Sequence, residues 1–237
     1  MSNGPYSGAM GTTSVGRLSR ERIVDAAMGL IDRDGIGALT MRRVADELAV
    51  QAPSLYNYVR SKDELLDAVG EVVIQGVDVS GFERLAWREA IEAWAWSYYE
   101  ALAAHPNMVP HLATAFGRMD RGLDNADRVY AGLLSQGWTP SRATRIAAAV
   151  RDAVYGAALG PFAGAFSANA SRFPHLHDID RIRATPERID RSALKMLIDR
   201  FLDGLEAFYT GDGSPAVGAV HEKSWGVESD RHDKHPT

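Results

Sequence analysis

Apolar residues recur along most of this chain at spacings of three and four, which places side chains on one face of an α-helix. The first apolar face, in residues 20–34, comprises Ile23, Ala27, Leu30 and Ile31. Ser19 is a good N-cap for this segment, and Gly35 is a typical stop. Thr40 in the same way predicts the start of a second helix, whose apolar stripe comprises Val44, Ala45 and Leu48.

A third helix is predicted directly after the second, because only residues 49–52 separate the two. Pro53 suits a first helical turn, and Leu55 and Val59 have the i,i+4 spacing of one helical face. The next segment opens with Ser61 and Glu64 in the S-x-x-E spacing of a capping box. A longer fourth helix is therefore predicted from about residue 62.

Longer blocks rich in alanine and aromatic residues follow residue 80. They predict helices at about 86–104, 107–116, 120–136, 140–166 and 186–209, and no strand pattern competes. The last block carries apolar residues around more than a narrow stripe: Leu194, Leu197, Ile198, Phe201, Leu202, Leu205 and Phe208. Such a wide apolar surface predicts two neighbours for this helix.

The expected organisation is a flexible arm at 1–17, a domain at 18–79, a larger domain at 80–210 and a disordered tail at 211–237. The 237 residues include no cysteine, so disulfide and thiol chemistry are not expected. No apolar run is long enough to span a membrane and no signal peptide is recognisable, so we expect a cytoplasmic protein. The net charge of −5 is uneven, with a balance of +2 between residues 17 and 62.

The predicted third helix sorts its residues by face. With Leu55 and Val59 toward the core, Pro53, Ser54, Asn57 and Arg60 point outward, and Tyr56 and Tyr58 lie on the two flanks. Central polar side chains suit base edges in a major groove, and flanking hydroxyls suit phosphates. On the neighbouring helices, Arg42 suits a guanine edge or a phosphate, and Thr40 and Lys62 suit phosphates. A small helical subdomain with surface tyrosines is the alternative interpretation.

The residues 18–77 resemble the N-terminal domain of the TetR family, through "LTMRRVADELAV", "PSLYNYV" and "SKDELL" without a gap. The resemblance implies an all-α homodimer with a three-helix helix-turn-helix domain and a larger helical domain for ligand binding and dimerisation. The family's usual DNA contacts fall on Thr40, Arg42, Gln51, Ala52, Pro53, Ser54, Tyr56, Asn57, Tyr58 and Lys62. Ala52 and Asn57 are expected to set the base preference.

Residues 86–209 resemble the family's C-terminal domain more loosely, and the resemblance implies that 140–166 and 186–209 form a four-helix bundle with their copies in a second subunit. An effector cavity is expected to use a subset of the aromatic and methionine residues, which are Trp87, Trp94, Trp96, Tyr98, Tyr99, Met108, Phe116, Met119, Trp138, Tyr155, Phe162 and Phe166. Most of them suit an ordinary core. Those near glycine or proline breaks, together with a histidine, are the candidate ligand contacts: His105, Met108, Trp138, Tyr155 and Phe162.

His105 has two interpretations. Family members that bind tetracycline use a histidine at the matching place to hold the magnesium ion of the drug. The glutamate that completes that site would fall at Ala163 or Gly164, so a magnesium–tetracycline complex is not expected here. The other interpretation is that His105 caps the helix end before Pro106.

The sequence has only weak patterns for metal binding or catalysis. His175, His177, Asp178 and Asp180 form an H-x-H cluster that a solvated loop explains better than a metal site does, so neither a metal nor a cofactor is expected. No catalytic motif is present. The hypothesis is a DNA-binding repressor that a lipophilic or aromatic effector releases from double-stranded operator DNA. The alternative is a helical small-molecule binding protein or enzyme without operator binding.

Overall fold

The computed structural model describes residues 17–159, 173–176 and 186–207. These residues form nine α-helices and no strand, as the periodicity predicts. The helices are α1 (Arg20–Asp34), α2 (Met41–Glu47), α3 (Ala52–Leu55), α4 (Lys62–Gln75), α5 (Trp87–Ala103), α6 (Val109–Ala115), α7 (Asp120–Ser135), α8 (Pro140–Ala158) and α9 (Pro186–Glu206). The predicted tail at 211–237 and all but the last residue of the predicted arm at 1–17 lie outside the described residues.

Three helices of the N-terminal part begin at the residues that the sequence indicates. The Ser19 hydroxyl accepts a hydrogen bond from the Arg22 N–H, and the Thr40 hydroxyl accepts one from the Arg43 N–H over 3.2 Å. Gly35 ends α1 with φ at 81°, a conformation that glycine adopts without steric cost. The predicted boundaries of α1 and α2 are thus confirmed within one or two residues.

The start of α4 differs from the predicted capping box in one bond. The Ser61 hydroxyl accepts from the Glu64 N–H over 3.1 Å, as expected. The Glu64 carboxylate, however, accepts from the Arg60 N–H over 2.8 Å, one residue ahead of the N-cap. The Glu64 side chain therefore holds the backbone at Arg60, just before α4 begins.

The third helix is shorter than predicted. The α-helix ends at Leu55, and the chain continues as a turn in which the Tyr58 and Val59 N–H groups both donate to the Leu55 carbonyl oxygen, at 2.9 and 3.1 Å. The chain must reach the extended conformation of Ser61 within a few residues, and this limits the helix. Leu55 and Val59 are both fully buried, so the predicted core face is confirmed.

The larger domain is built around α5, which packs against α8 and α9. Its buried face carries Trp87, Trp94, Tyr98 and Tyr99. The predicted helices at 86–104 and 120–136 match α5 and α7 within one residue. The segment predicted at 107–116 is divided instead, with a 3₁₀ turn at Pro106–Met108 ahead of α6. The end of the predicted 140–166 helix lies outside the described residues.

Helix α4 connects the two parts of the molecule by several polar contacts. The Glu71 carboxylate accepts from the Asp120 and Arg121 N–H groups at the start of α7, over 2.7 and 3.0 Å. Farther along, the Asn125 amide donates to the Ile74 carbonyl oxygen over 3.4 Å. Helices α4 and α7 are therefore joined by hydrogen bonds at both Glu71 and Asn125.

A search of the described residues finds no helix that is long and apolar enough to cross a membrane.

Candidate DNA-binding surface and ligand cleft

The turn between α2 and α3 sets the direction of the third helix. Leu48 ends α2, and Ala49 adopts a left-handed conformation with φ of 54°. The Val50 N–H then donates to the Ala45 carbonyl oxygen over 2.9 Å and closes the turn. A non-glycine residue in this conformation costs roughly 1–2 kcal/mol. The packing of α3 on α2 holds the turn against that local preference.

All ten predicted DNA contacts lie at the surface, exposed or half-buried. Tyr56 is 52% exposed, which is unusual for so large a ring, and Asn57 beside it is also exposed. Tyr58 is half-buried and its ring packs against the domain core. The anchors Leu55 and Val59 lie underneath, so the short helix presents a polar surface on a rigid base.

Ion pairs within the N-terminal domain decide which cations remain available at this surface. Arg43 pairs with Asp34 over 2.5 Å, and Arg33 pairs with Glu47 over 3.1 Å. Arg42 and Lys62 are exposed, and no ion pair of theirs is found in the described part of the chain. The cations that the sequence assigns to phosphate contacts are therefore among those that the described part of the domain does not neutralise.

A cleft of about 230 Å³ lies between α5, α7 and α8. Most of its described lining is apolar or aromatic, and polar atoms enter from α7 and α8. The lining residues are Val77, Trp94, Tyr98, Asn125, Ala126, Val129, Tyr130, Thr144, Ala147, Ala148 and Arg151. An apolar wall with a few placed polar groups is what small-molecule sites have in common.

Two buried tyrosines stand behind the cleft. The Tyr98 hydroxyl donates to the Tyr155 hydroxyl over 3.1 Å, and the two rings meet edge to face at 5.6 Å between centroids. Burial raises the pKa of both phenols above the ordinary value, because the phenolate would lose its hydration. Both residues therefore stay neutral and act as hydrogen-bonding groups.

A larger groove of about 430 Å³ lies between α5 and α9, and its lining is mostly charged. Arg88 and Asp203 pair over 2.7 Å across it, and Lys195 and Asp199 pair over 2.9 Å along α9. These charges pair with one another, and the described lining of the groove includes no aromatic residue. The smaller cleft is therefore the better candidate for a small-molecule site.

The structure describes four of the five predicted ligand contacts, and none of these four belongs to the described lining of the cleft. The His105 ring contacts the Asp32 carboxylate at 2.9 Å, which joins the start of the Pro106–Met108 turn to the end of α1. Met108 is fully buried, and Trp138 packs edge to face on Trp87 at 5.3 Å. Tyr155 reaches the cleft only through Tyr98. Phe162 lies outside the described residues.

The structure describes only in part the two places where the sequence raised a metal site, at His105 and at residues 175–180. His105 lies beside Asp32 and away from the cleft, and Ala163 and Gly164 are outside the described residues. Of the cluster, only His175 is described, and its side chain is exposed. Within the part of the chain that the structure describes, no three His, Cys, Asp or Glu side chains are grouped closely enough to hold a metal ion.

Sequence reasoning missed several of the cleft residues, above all Asn125, Tyr130 and Arg151. Trp94 and Tyr98 belong to the broader aromatic set, although that set does not distinguish them from core residues. One signal was available, because the alanines 147–149 on α8 are small residues that leave space opposite an aromatic-rich helix. Thr144 before that run and Arg151 after it both line the cleft.

Comparisons with known proteins agree with this architecture. A family model for "Bacterial regulatory proteins, tetR family" matches residues 23–69. An HTH-type transcriptional regulator of Saccharopolyspora erythraea is 33% identical over 139 residues, which cover 59% of each chain. The tetracycline repressor protein class D of Escherichia coli is 36% identical over 101 residues, which cover 41% of this chain and 46% of the repressor. The chain thus spans about half the length of these curated relatives.

Solved structures match over a greater length. The TetR family protein ActR of Streptomyces coelicolor, in complex with actinorhodin, superposes with a TM-score of 0.64 at 25% identity. That match covers 81% of this chain and 97% of the ActR chain. The described residues thus form a helix-turn-helix ahead of a larger helical domain with an aromatic cleft. The N-terminal domain is therefore that of the TetR family of bacterial regulatory proteins, and the rest of the described chain is similar in fold to members of that family.

Proposed function

We propose that this protein is a sequence-specific transcriptional repressor in the cytoplasm, which a small aromatic effector releases from double-stranded operator DNA. The observation that carries the proposal is the surface of α3 and the turn after it. Tyr56 and Asn57 are exposed there, above the buried anchors Leu55 and Val59. A rigid helix with polar side chains outward is the arrangement that reads a major groove.

The proposed contacts divide into two roles. Pro53, Ser54 and Asn57 face the bases, with Gln51 and Ala52 at the start of α3. The phosphates are contacted by Tyr56 and Tyr58 on the flanks, and by Thr40, Arg42 and Lys62 on the neighbouring helices. Phosphate contacts position the protein on any duplex, whereas base contacts select the sequence.

The proposed repressor is a homodimer formed through α8 and α9. Leu194, Ile198 and Leu202 are buried against the domain, whereas Met196 is 65% exposed and Leu197 is 49% exposed on the other side of α9. Leu159, just after α8, is also exposed. A two-fold pairing would bury these apolar side chains twice and place two copies of α3 on one face.

The release mechanism follows from the contacts of α4. Asn125 lines the cleft and also donates to the Ile74 carbonyl oxygen of α4, and Glu71 of α4 caps α7. An effector that shifts α7 therefore shifts α4 and the helix-turn-helix with it. The effector acts only through its preference for the arrangement that does not bind DNA. A coupling free energy of about 2 kcal/mol would weaken operator binding roughly thirtyfold.

A gel-shift assay of the purified protein with its own upstream DNA tests the proposal. We expect binding to this fragment to exceed binding to a random duplex at moderate salt by a large factor. Tyr56→Phe should weaken binding to both duplexes by a similar factor, because it removes a phosphate contact. Asn57→Ala should reduce binding to the operator much more than to the random duplex.

Glu89→Gln on α5 serves as a control, since its exposed side chain lies outside both the helix-turn-helix and the proposed dimer helices, and binding should not change. Equal affinity for the upstream fragment and the random duplex would contradict the repressor and favour a small-molecule binding protein without an operator. An equal loss on both duplexes for Asn57→Ala would contradict only the role assigned to that residue.

A further inference from the structure

A short turn of the C-terminal domain is hydrogen-bonded to the end of α1. The Asn107 amide, in the 3₁₀ turn Pro106–Met108, donates to the Ile31 carbonyl oxygen over 2.8 Å and to the Asp32 carbonyl oxygen over 3.2 Å. Both carbonyl groups lie in the last turn of α1, where a helix cannot satisfy all of its own acceptors. Asn107 is therefore a C-terminal cap that the other domain supplies to α1.

The same turn makes a second contact with α1. The His105 Nδ1 atom lies 2.9 and 3.1 Å from the two carboxylate oxygens of Asp32. The turn itself is held at both ends, because the His105 N–H donates to the Leu102 carbonyl oxygen over 3.0 Å and the Met108 N–H donates to the His105 carbonyl oxygen over 2.9 Å. Met108 is fully buried, as is Ile31 on α1. The turn is therefore a fixed continuation of α5 that contacts α1.

The two domains thus cap each other's helices in opposite directions. Glu71 of α4 caps the start of α7, and Asn107 caps the end of α1. The His111 Nε2 atom of α6 also contacts the Asp67 carboxylate of α4, at 3.1 Å. A connection through α4 alone would let the DNA-binding domain turn about that helix, since domains joined at one place move relative to each other by default. A second connection at α1 prevents this rotation.

We propose that the turn Pro106–Met108 fixes the angle of the DNA-binding domain, so that Asn107 and Asp32 set the half-site spacing that the dimer accepts. This inference rests on the proposed function and assigns positioning roles to residues outside the DNA-binding surface. One added base pair moves a half-site by about 3.4 Å along the duplex and by roughly 35° around it. A dimer that holds its two α3 copies at one angle matches one spacing, whereas a dimer with loosened domains tolerates others.

Double electron–electron resonance on the full-length protein measures the angle without DNA. The chain has no cysteine, so Asp25→Cys on α1 and Glu89→Cys on α5 place one nitroxide label in each domain, both at exposed positions. Dilution with unlabelled chains restricts the measured distance to the two labels of one chain. We expect a narrow distance distribution, which Asn107→Ala and Asp32→Ala should each broaden.

Gel shifts with three synthetic duplexes measure the consequence for DNA binding. The duplexes carry the operator from the upstream fragment with its own half-site spacing, with one base pair added, and with one removed. The unchanged protein should strongly prefer its own spacing. Asn107→Ala and Asp32→Ala should each weaken binding to the native duplex by roughly 2- to 10-fold and reduce the preference over the other two duplexes by at least a similar factor.

Two further variants separate a change of angle from a general loss of binding. Lys62→Ala removes a proposed phosphate contact, so it should weaken binding to all three duplexes by a similar factor. Asp25→Ala removes an exposed carboxylate from α1 at a distance from the turn, and it should leave the spacing preference unchanged. A variant that only lowers the folded fraction would also weaken the three duplexes equally, so the spacing preference distinguishes positioning from stability.

The two measurements keep this inference distinct from the proposed function. If Asn107→Ala and Asp32→Ala leave the distance distribution unchanged, or weaken the three duplexes equally, the positioning role is wrong and the repressor stands. If the unchanged protein prefers no upstream fragment over random DNA, the repressor and its half-site spacing are wrong. The distance distributions then decide alone whether the turn fixes the angle between the domains.

Discussion

The two domains begin their helices in different ways. In the N-terminal domain, Ser19, Thr40 and Ser61 each accept a hydrogen bond from a backbone N–H three residues later. In the C-terminal domain, α5 begins after Ala86 without a side-chain cap. Helix α7 begins after Met119, and its free N–H groups bind Glu71, about fifty residues earlier in the chain. Helix α8 is the exception in the second domain, because the Thr139 hydroxyl accepts from the Arg142 N–H over 3.4 Å, whereas α5 and α7 depend on contacts beyond their own first turn.

The glycines of the two domains also differ in how closely residues from distant parts of the chain pack around them. A Cβ atom added at Gly29 on α1 would have no other atom within 4 Å. A Cβ atom added at Gly132 on α7 would lie 2.5 Å from the Phe82 Cβ atom. Phe82 in turn packs edge to face on Trp94 of the cleft, at 5.9 Å between centroids. The C-terminal domain thus depends on close contact between residues that are far apart in the chain.

Among the substitutions that compare the two domains, Gly132→Ala should have the largest effect on the free energy of unfolding. The added methyl group meets Phe82 at its Cβ and ring atoms, which cannot move without displacing Trp94. We expect a loss of about 1–3 kcal/mol in the free energy of unfolding, which is the usual cost of overpacking. Thermal or urea unfolding followed by circular dichroism at one protein concentration measures this loss.

Gly29→Ala is the matched control for this change. The substitution adds the same methyl group in the middle of a helix, but in open space. It should raise the free energy of unfolding by up to about 1 kcal/mol, since alanine favours a helix more than glycine does. A gain in stability for Gly132→Ala would contradict the close contact with Phe82.

Glu71→Ala should have the next largest effect, because it removes the cap that α4 supplies to α7. Two backbone N–H groups lose an anionic acceptor at 2.7 and 3.0 Å. We expect a loss of about 1 kcal/mol, typical of a removed N-cap, with a contribution from the helix dipole. Equilibrium urea unfolding is the measurement.

Glu71→Gln keeps one oxygen acceptor without the charge, and it should lose a smaller part of the stability than Glu71→Ala does. Ser61→Ala provides the local comparison, because it removes one cap inside the N-terminal domain. If Glu71→Ala leaves the stability unchanged while Ser61→Ala lowers it, the cap between the two domains contributes nothing and α7 is held by its apolar contacts alone.

The sequence predicts the parts of the structure that depend on local chemistry. Ser19, Gly35 and Thr40 define the ends of their helices because each acts on a backbone group a few residues away. The length of α3 is the exception within the N-terminal domain. Its end depends on where the chain must turn to reach Ser61, and the i,i+4 spacing of Leu55 and Val59 is the same in a helix and in the observed turn.

The candidate ligand site could be predicted only in part, for a physical reason. Periodicity shows that Trp94 and Tyr98 face the interior, but the same pattern places Trp138 and Met108 there. Whether an interior residue lines a cleft depends on where α5, α7 and α8 diverge, and that is a property of their packing. The position of Arg151 at the cleft is likewise a matter of tertiary structure.

Ala86→Ser should have the smallest effect, and it tests whether α5 can gain the local cap that the N-terminal helices have. Ala86 is exposed and already has the extended conformation of an N-cap, with φ of −63° and ψ of 157°. Glu89 follows three residues later, so the change creates an S-x-x-E sequence. We expect a gain of about 0.5 kcal/mol, the low end for an exposed cap, and a rise of roughly 1–2 °C in Tm. Ala86→Val, which has no acceptor, should give no gain; equal Tm values for the two variants would mean that α5 is fixed by its packing on α8 and α9 and cannot use a local cap.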